Sequence, residues 1–227
     1  MPPIVELRNV TFGYPDRLLF EEFSLALNHG QRLGLMGPNG VGKTTLLRLL
    51  VGLEKPLSGE LLFHGRPCVT EKDLRALRRE VGLVFQDPDD QLFCPTVAED
   101  LAFGPLNLGL PRPEVERRVK ETLSLLGLSG FEDRVTYRLS GGEKRLVALG
   151  TVLIMKPSLL LLDEPTGDLD PRNIKKLSQI LLSLEASYLI VSHDLDFLQT
   201  VCDEIFWLEE GELKSLAPSV KILTRPS

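Results

Sequence analysis

Cysteine is scarce in this sequence. Cys68, Cys94 and Cys202 lie far apart and form no C-x-x-C pair. That argues against a disulfide framework or a zinc site and fits a reducing compartment. Long hydrophobic runs are missing too: the longest mostly apolar stretch, Leu146 to Met155, covers 10 residues and ends at Lys156-Pro157. A membrane-spanning helix needs about 20 such residues, so this stretch is expected to be a buried core helix. The first residues, Met1-Pro2-Pro3-Ile4-Val5-Glu6, hold no basic region followed by an apolar one, so no secretory signal is expected. The chain by itself is expected in the cytosol, with any membrane attachment made through a partner. Cations are also in deficit: Lys plus Arg total 26 against 32 for Asp plus Glu, a net charge of −6. Non-specific duplex binding needs the opposite balance, so nucleic acid is not expected as a partner. There is no internal repeat and no low-complexity tract.

What is present is apolar side chain enough for a core: 43% of the 227 residues are hydrophobic and 26% charged. That is a soluble globular profile. At roughly 150 residues per domain the length suits one large domain, or one domain with an insertion. The first 36 residues read as strands: Ile4–Val10, a turn at Gly13–Asp16, Phe23–Leu27 and Arg32–Met36. Lys43–Leu50 reads as a helix, Glu60–Phe63 as a short strand, and Thr70–Arg79 as a helix with Thr70 as N-cap. Val81–Phe85 is β-rich.

From Gln86 to Pro113 the chain is richer in Pro, Gly and Asp, with room for short helices, and reads as an inserted subregion. Pro113–Leu126 is a better helix, with Val115, Val119, Thr122 or Leu123, and Leu126 on one face. Ser140 opens a helix to Met155. Leu159–Leu162 and Tyr188–Ser192 are continuous apolar strands of the kind buried on both faces of a parallel sheet. Helices at Pro171–Leu184 and Asp194–Val201 and a strand at Glu204–Leu208 complete the alternation. The fold class expected is α/β, a doubly wound core of βαβ units.

Gly37-Pro38-Asn39-Gly40-Val41-Gly42-Lys43-Thr44 fits G-x-x-x-x-G-K-[ST] between a strand and a helix, the context that motif requires. Its glycines let backbone N–H groups turn inward around phosphate oxygens, and the helix N-terminus adds partial positive charge. Lys43 is placed to reach β- and γ-phosphates and the Thr44 hydroxyl to bind Mg²⁺. The strand Leu159–Leu162 ends in Asp163-Glu164, where α/β sheets bind ligands. Asp163 suits Mg²⁺ held through water, and Glu164 suits an attacking water. Apolar strands ending in an acid are common, and only the phosphate loop gives this pair weight. Leu139-Ser140-Gly141-Gly142-Glu143 is, on its residues alone, a helix start: Ser140 and Glu143 make an S-x-x-E capping box.

The order of these elements changes that reading. A phosphate loop, then LSGGE before a long helix, then an apolar strand ending in Asp-Glu resembles the ATP-binding cassette (ABC) ATPases, whose signature reads LSGGQ or close to it. The resemblance covers about Ile4 to Leu213. It implies a P-loop core with an N-terminal antiparallel β subdomain and a helical subdomain, about 86–147, all in one domain spanning 1–227. It implies ATP and Mg²⁺, with nucleotide contacts from Gly37 through Thr45. Tyr14 matches the aromatic that stacks on adenine, although a tyrosine in a turn also explains it. Gln86 matches the glutamine that contacts Mg²⁺ and the attacking water, Asp170 the D-loop aspartate, and His193 the histidine on the γ-phosphate. Ser140, Gly141, Gly142 and Glu143 are expected to face the nucleotide of a second ATPase subunit, a copy or a homologue. His29 and His64 have no such support and read as surface or turn residues.

The sequence departs from the family pattern twice. Glu143 stands where Gln is commoner, and Asp168 where Gly, Ala or Asn is commoner. Asp168 adds a carboxylate near the dimer seam, which is expected to slow closure.

A narrower resemblance lies in Val84-Phe85-Gln86-Asp87-Pro88-Asp89-Asp90-Gln91-Leu92-Phe93, continuing through Thr96–Asp100 and Phe103-Gly104-Pro105. It is similar to the energy-coupling-factor branch, the ATPases of cobalt, nickel and vitamin importers. That implies a transmembrane coupling subunit and a substrate-binding membrane protein as partners, at the cytoplasmic face of the membrane. The acidic residues Asp87, Asp89 and Asp90 read as a solvated or partner-facing loop, since no adjacent ligands complete a cation site. Gln86 to Gly109 is expected to dock the membrane subunit, with Leu92, Phe93 and Phe103 exposed.

Soluble ABC ATPases acting on DNA or ribosomes fit less well. Chromosome- and repair-type members carry long coiled coils between phosphate loop and signature, and here Gln86 and Ser140 are 140 − 86 = 54 residues apart without heptads. Translation-type members usually carry two cassettes. A small-molecule P-loop kinase or GTPase gives no reason for LSGGE, Gln86 or His193 at those places. After Leu213 only a short tail, 214–227, is expected.

Overall fold

The computed structural model describes residues 1–216. Strands β1 (Val5–Tyr14) and β2 (Arg17–Leu27) form an antiparallel hairpin turning at Pro15-Asp16. Val5 and Leu7, then Val10 and Phe12, of β1 are buried, a period of two on either side of an irregularity in register between Leu7 and Val10. Strand β3 (Arg32–Met36) leads into the phosphate loop and helix α1 (Lys43–Leu50). The chain then returns to the hairpin: β4 (Ser58–Phe63) pairs with β1 and β5 (Arg66–Pro67) with β4, giving an antiparallel sheet ordered β2-β1-β4-β5. Helix α2 (Glu71–Glu80) starts at the expected N-cap Thr70, which with Asp73 forms a capping box, and feeds β6 (Val81–Val84).

The inserted segment holds α3 (Val97–Asn107) and α4 (Arg112–Leu125). The segment expected to hold short helices has a 3-10 turn at Pro88–Asp90 and then α3, 11 residues long with Pro105 inside it. It is fixed at its start by a capping box, Thr96 with Glu99, and by buried Val97 and Leu101. Then come α5 (Gly141–Leu153), β7 (Leu159–Asp163), α6 (Pro171–Ser183), β8 (Ser187–Val191), α7 (Leu195–Val201) and β9 (Glu204–Glu209). A last strand, β10 (Glu212–Leu216), turns back on β9. Residues 214–216, expected to begin the tail, therefore belong to the sheet. The rest of that tail lies outside the described residues.

The second sheet is ordered β10-β9-β3-β8-β7-β6, parallel from β9 to β6. Its centre is dry on both faces. In β7, Leu159 and Leu161 join a core with α1 and the antiparallel sheet, while Leu160 and Leu162 join a core with α3 to α7. A strand's period of two makes an unbroken leucine run serve both layers. Each fully buried leucine contributes roughly 1.5–3 kcal/mol, and Leu161→Ala would cost about 2–5 kcal/mol. The arrangement brings the carboxyl ends of β3, β8 and β7 to one edge, where three of the motifs emerge.

Candidate active site

The phosphate loop is built on close approach and unusual dihedrals. A side chain at Gly37 would meet the Leu208 carbonyl at 2.4 Å, so only glycine lets the loop leave β3 beside β9. Gly42, at φ 109°, is the N-cap of α1 in a conformation that side chains rarely adopt. Consequently α1 begins with no side-chain cap and no acid in its first turn. Helices α2, α3, α5, α6 and α7 all have capping side chains. The free N–H groups at the start of α1 suit an anion. Lys43 is buried, with Nζ donating to the carbonyls of Gly37 at 2.8 Å and Pro38 at 3.0 Å. Burial lowers its pKa, and the carboxylates Glu164 and Asp163 oppose that shift.

The cleft above this loop is about 730 Å³, and residues far apart in sequence line it: Tyr14, Lys43, Thr44, Gln86, Asp163, Glu164 and His193 among them. Asn39, Gly40, Gly42 and Thr45 line it too, whereas Pro38 and Val41 face a neighbouring depression beside Arg17. The Tyr14 ring is half-exposed, edge-on to Phe12, with its hydroxyl 3.3 Å from Thr45 Oγ1. It lines the cleft, where an aromatic ring could stack on a base.

Asp163 closes β7 almost fully buried, with Oδ1 lacking any hydrogen-bond partner among the described residues. Burial raises its pKa, and hydrogen bonding from Thr44 opposes the shift. An orphaned carboxylate oxygen facing a threonine hydroxyl is the donor set a hard divalent cation takes, so the residues fit Mg²⁺. Glu164 follows at φ 45°, a left-handed backbone costing about 1–2 kcal/mol for a residue with a side chain. Burial raises its pKa too, and the backbone hydrogen bond from His193 opposes that most. A carboxylate held in a partly dry site with its pKa raised suits a general base.

Some expected site residues lie elsewhere. Ser140, Gly141, Gly142 and Glu143 are absent from the cleft lining. Ser140 caps α5 and Glu143 Oε2 accepts from its backbone N–H at 2.8 Å, so glutamate preserves the capping box. Asp170 caps α6, its Oδ1 accepting from Asn173 N at 2.9 Å. Asp168 has φ 56°, a conformation that Asp and Asn tolerate better than most residues, which explains the type found there.

Leu92, expected at the surface, is 9% exposed and packs in the helical core. Phe93 and Phe103 are exposed, at 65% and 47%, and meet edge to face with centroids 4.8 Å apart. Two further residues matter to which the sequence assigned no role. Buried Asp100 accepts from Phe93 N, Cys94 N and Thr136 Oγ1, fixing the loop that presents Phe93. Buried Arg145 reaches from α5 to the carbonyls of Gln86 and Glu164. The only sequence signal for Arg145 is its place, after Lys144, at the border of the apolar run Leu146–Met155.

Among the described residues no helix is long and apolar enough to cross a membrane. The ABC transporter family profile matches residues 20–167. The energy-coupling factor transporter ATP-binding protein EcfA of Methanothermobacter thermautotrophicus is 45% identical over 215 residues, 92% of this chain and 69% of that protein. The structure of cbiO1 from Clostridium perfringens, part of the ABC transporter complex cbiONQ, superposes with TM-score 0.85 at 35% identity, over 96% of this chain and 89% of that one. The ATP-binding cassette MJ0796, in a dimeric post-hydrolysis state with ADP and Pi, superposes with TM-score 0.83 at 27% identity, over 92% of this chain and 96% of that one. This chain therefore belongs to the ABC transporter family, as one of its ATP-hydrolysing subunits.

Proposed function

We propose that the chain energises a membrane importer of the energy-coupling-factor type, for cobalt or nickel ions or a vitamin. The observation that carries this reading is the exposed Phe93–Phe103 pair, on the segment that starts at Gln86 in the ATP cleft. Two aromatic rings facing water need a partner, and this segment holds the string similar to that branch. The names of the EcfA and cbiO1 relatives support the same assignment.

In this reading the α1 N-terminus and Lys43 hold the triphosphate, and Tyr14 stacks on the base. Thr44 and Asp163, with Gln86, hold Mg²⁺, which when bound neutralises phosphate charge as it builds up. Glu164 accepts the proton of the attacking water, and His193 supports the γ-phosphate. Because LSGGE lies outside the cleft, each site is completed by Ser140, Gly141, Gly142 and Glu143 of a second subunit, a copy or a homologue. Asp170 lies near that seam. ATP draws the pair together and hydrolysis releases it. The pair sits at the cytoplasmic face of the membrane on a transmembrane coupling subunit, which works with a substrate-binding membrane protein. Acidic Asp87 and Asp90 beside the phenylalanines favour a basic docking element. The whole chain, 1–227, serves as one ATPase domain.

Replacing Phe93 and Phe103 together by Ser tests the reading. ATP binding by the isolated chain should be unchanged, while co-purification with the membrane subunit, and uptake, should be lost. A double variant that assembles and transports normally would remove the main support for this branch of the family.

A further inference from the structure

Helix α5 carries a buried cation that the proposed hydrolysis scheme leaves without a task. Arg145 is 8% exposed. Its Nη1 donates to the Gln86 carbonyl and to the Glu164 carbonyl, both at 2.9 Å. Its Nη2 stands 3.6 Å from Asp168 Oδ2, on a side chain that is itself largely in solvent. Its Nε is buried without a hydrogen-bond partner among the described residues. A guanidinium buried for packing alone would be expected to have its donors satisfied and a close counter-charge. Arg145 instead spends Nη1 on two backbone carbonyls that lie just past the ends of the neighbouring strands β6 and β7. Room is left for it: a side chain at Gly167 would approach Nη2 to 3.1 Å.

The two carbonyls are not equivalent. The Gln86 segment is tied to α5 at other points as well. Lys144 Nζ donates to Asp89 Oδ1 at 2.6 Å. Gln91 Nε2 donates to the Ala148 carbonyl and Thr151 Oγ1, while its Oε1 accepts from Phe85 N. Phe85 to Gln91 is thus strapped along α5 over successive turns. Of these ties, Arg145 alone continues to Glu164. There the Glu164 carbonyl also accepts from Gly167 N at 3.2 Å, closing a turn whose first residue has φ 45°. Fixing that carbonyl fixes the peptide after Glu164, and with it the direction of a side chain on a strained backbone.

We propose that Arg145 is a positioning residue for ATP hydrolysis: its guanidinium clamps the Gln86 and Glu164 carbonyls, so that the carboxylate of Glu164 is aimed only when α5 and the Gln86 segment are seated against it. The proposal rests on Glu164 being the carboxylate that activates water. It makes the helix that starts at Ser140 a lever on catalysis within its own subunit, apart from any contact Ser140 makes across a dimer.

The test compares Arg145→Lys, which keeps the charge but loses the length and the planar, fixed geometry of the guanidinium, with Arg145→Gln, Glu164→Gln and the double variant Arg145→Lys/Glu164→Gln, all in the full chain. Steady-state ATP hydrolysis and binding of a fluorescent ATP analogue are measured for each. A misaimed base should lower kcat about 10- to 100-fold in Arg145→Lys, with KM and analogue affinity within about threefold of wild type. The double variant should be no slower than Glu164→Gln. A wild-type kcat in Arg145→Lys overturns the proposal. So does loss of analogue binding in both Arg145 variants, which makes the residue structural, and so does a double variant slower than Glu164→Gln by the full factor. A Glu164→Gln chain that hydrolyses ATP at the wild-type rate instead refutes the role of Glu164, whatever the Arg145 variants do.

Discussion

His193 Nε2 stands 3.4 Å from Glu164 Oε1, and the His193 backbone N–H donates to Glu164 Oε2 at 3.3 Å. The contact joins the ends of neighbouring strands, since Asp163 of β7 pairs with Val191 of β8. Just past each of these partners, the chain leaves the sheet and delivers a carboxylate and an imidazole to the same point of the cleft. A change at either side chain therefore alters the surroundings of the other.

Glu164→Gln should bind ATP yet hydrolyse it about 10²- to 10⁴-fold more slowly, since the amide keeps the shape but accepts no proton. Removing the charge should also favour a lasting ATP-bound dimer. Size-exclusion chromatography with ATP would show it as an earlier-eluting species absent from wild type. Turnover at the wild-type rate would rule out Glu164 as the base.

His193→Ala should retain binding and lose hydrolysis to a similar degree. The His193 contact at Oε1 disappears in this variant, while the backbone donor to Oε2 remains. Single-turnover kinetics with bound ATP would read the chemical step directly. An unchanged single-turnover rate would leave His193 a bystander.

Lys43→Ala should abolish hydrolysis and weaken nucleotide binding. Lys43 is the cation that donates across the loop, to the Gly37 and Pro38 carbonyls, and its burial already lowers the cost of handing those hydrogens to phosphate. Titration with a fluorescent ATP analogue would measure the loss of affinity. Wild-type affinity with wild-type turnover would contradict the assignment of the phosphate loop.

Asp163 makes a prediction about pH and stability. Burial raises its pKa in the folded chain, so the folded state binds the proton more tightly than the unfolded one. Such a group adds stability below its unfolded pKa of about 3.9, and that stability is lost as pH rises through the higher folded pKa. At neutral pH the bare carboxylate is therefore a cost to the nucleotide-free protein. Asp163→Asn should raise the melting temperature at pH 7.5 by about 2–4 °C for each kcal/mol relieved, and the gain should shrink as pH falls toward 4. Thermal melts without nucleotide across that range would check it. A variant that melts lower than wild type at pH 7.5 contradicts the sign.

Much of the fold was legible because it is encoded locally. The G-x-x-x-x-G-K-T loop between a strand and a helix, the capping residues Thr70 and Ser140, and the leucine run of β7 each write their conformation into a few adjacent residues. The phosphate-loop motif singled out Lys43 and gave weight to Asp163 and Glu164, while His193 was reached only through the resemblance to the ABC ATPases. What adjacency does not encode was left to the tertiary structure. Leu92 looked like surface because its neighbours are acids and prolines, yet the helical core takes it in and leaves Phe93 outside. The Pro- and Gly-rich composition of 86–113 gave no helix bounds, yet α3 runs through Pro105 under the packing of its buried face. Arg145 drew no reading from the sequence, because its partners are carbonyls 59 and 19 residues away. Backbone carbonyls are the same in every residue. Which of them a buried guanidinium will meet is therefore decided only when the chain has closed on itself.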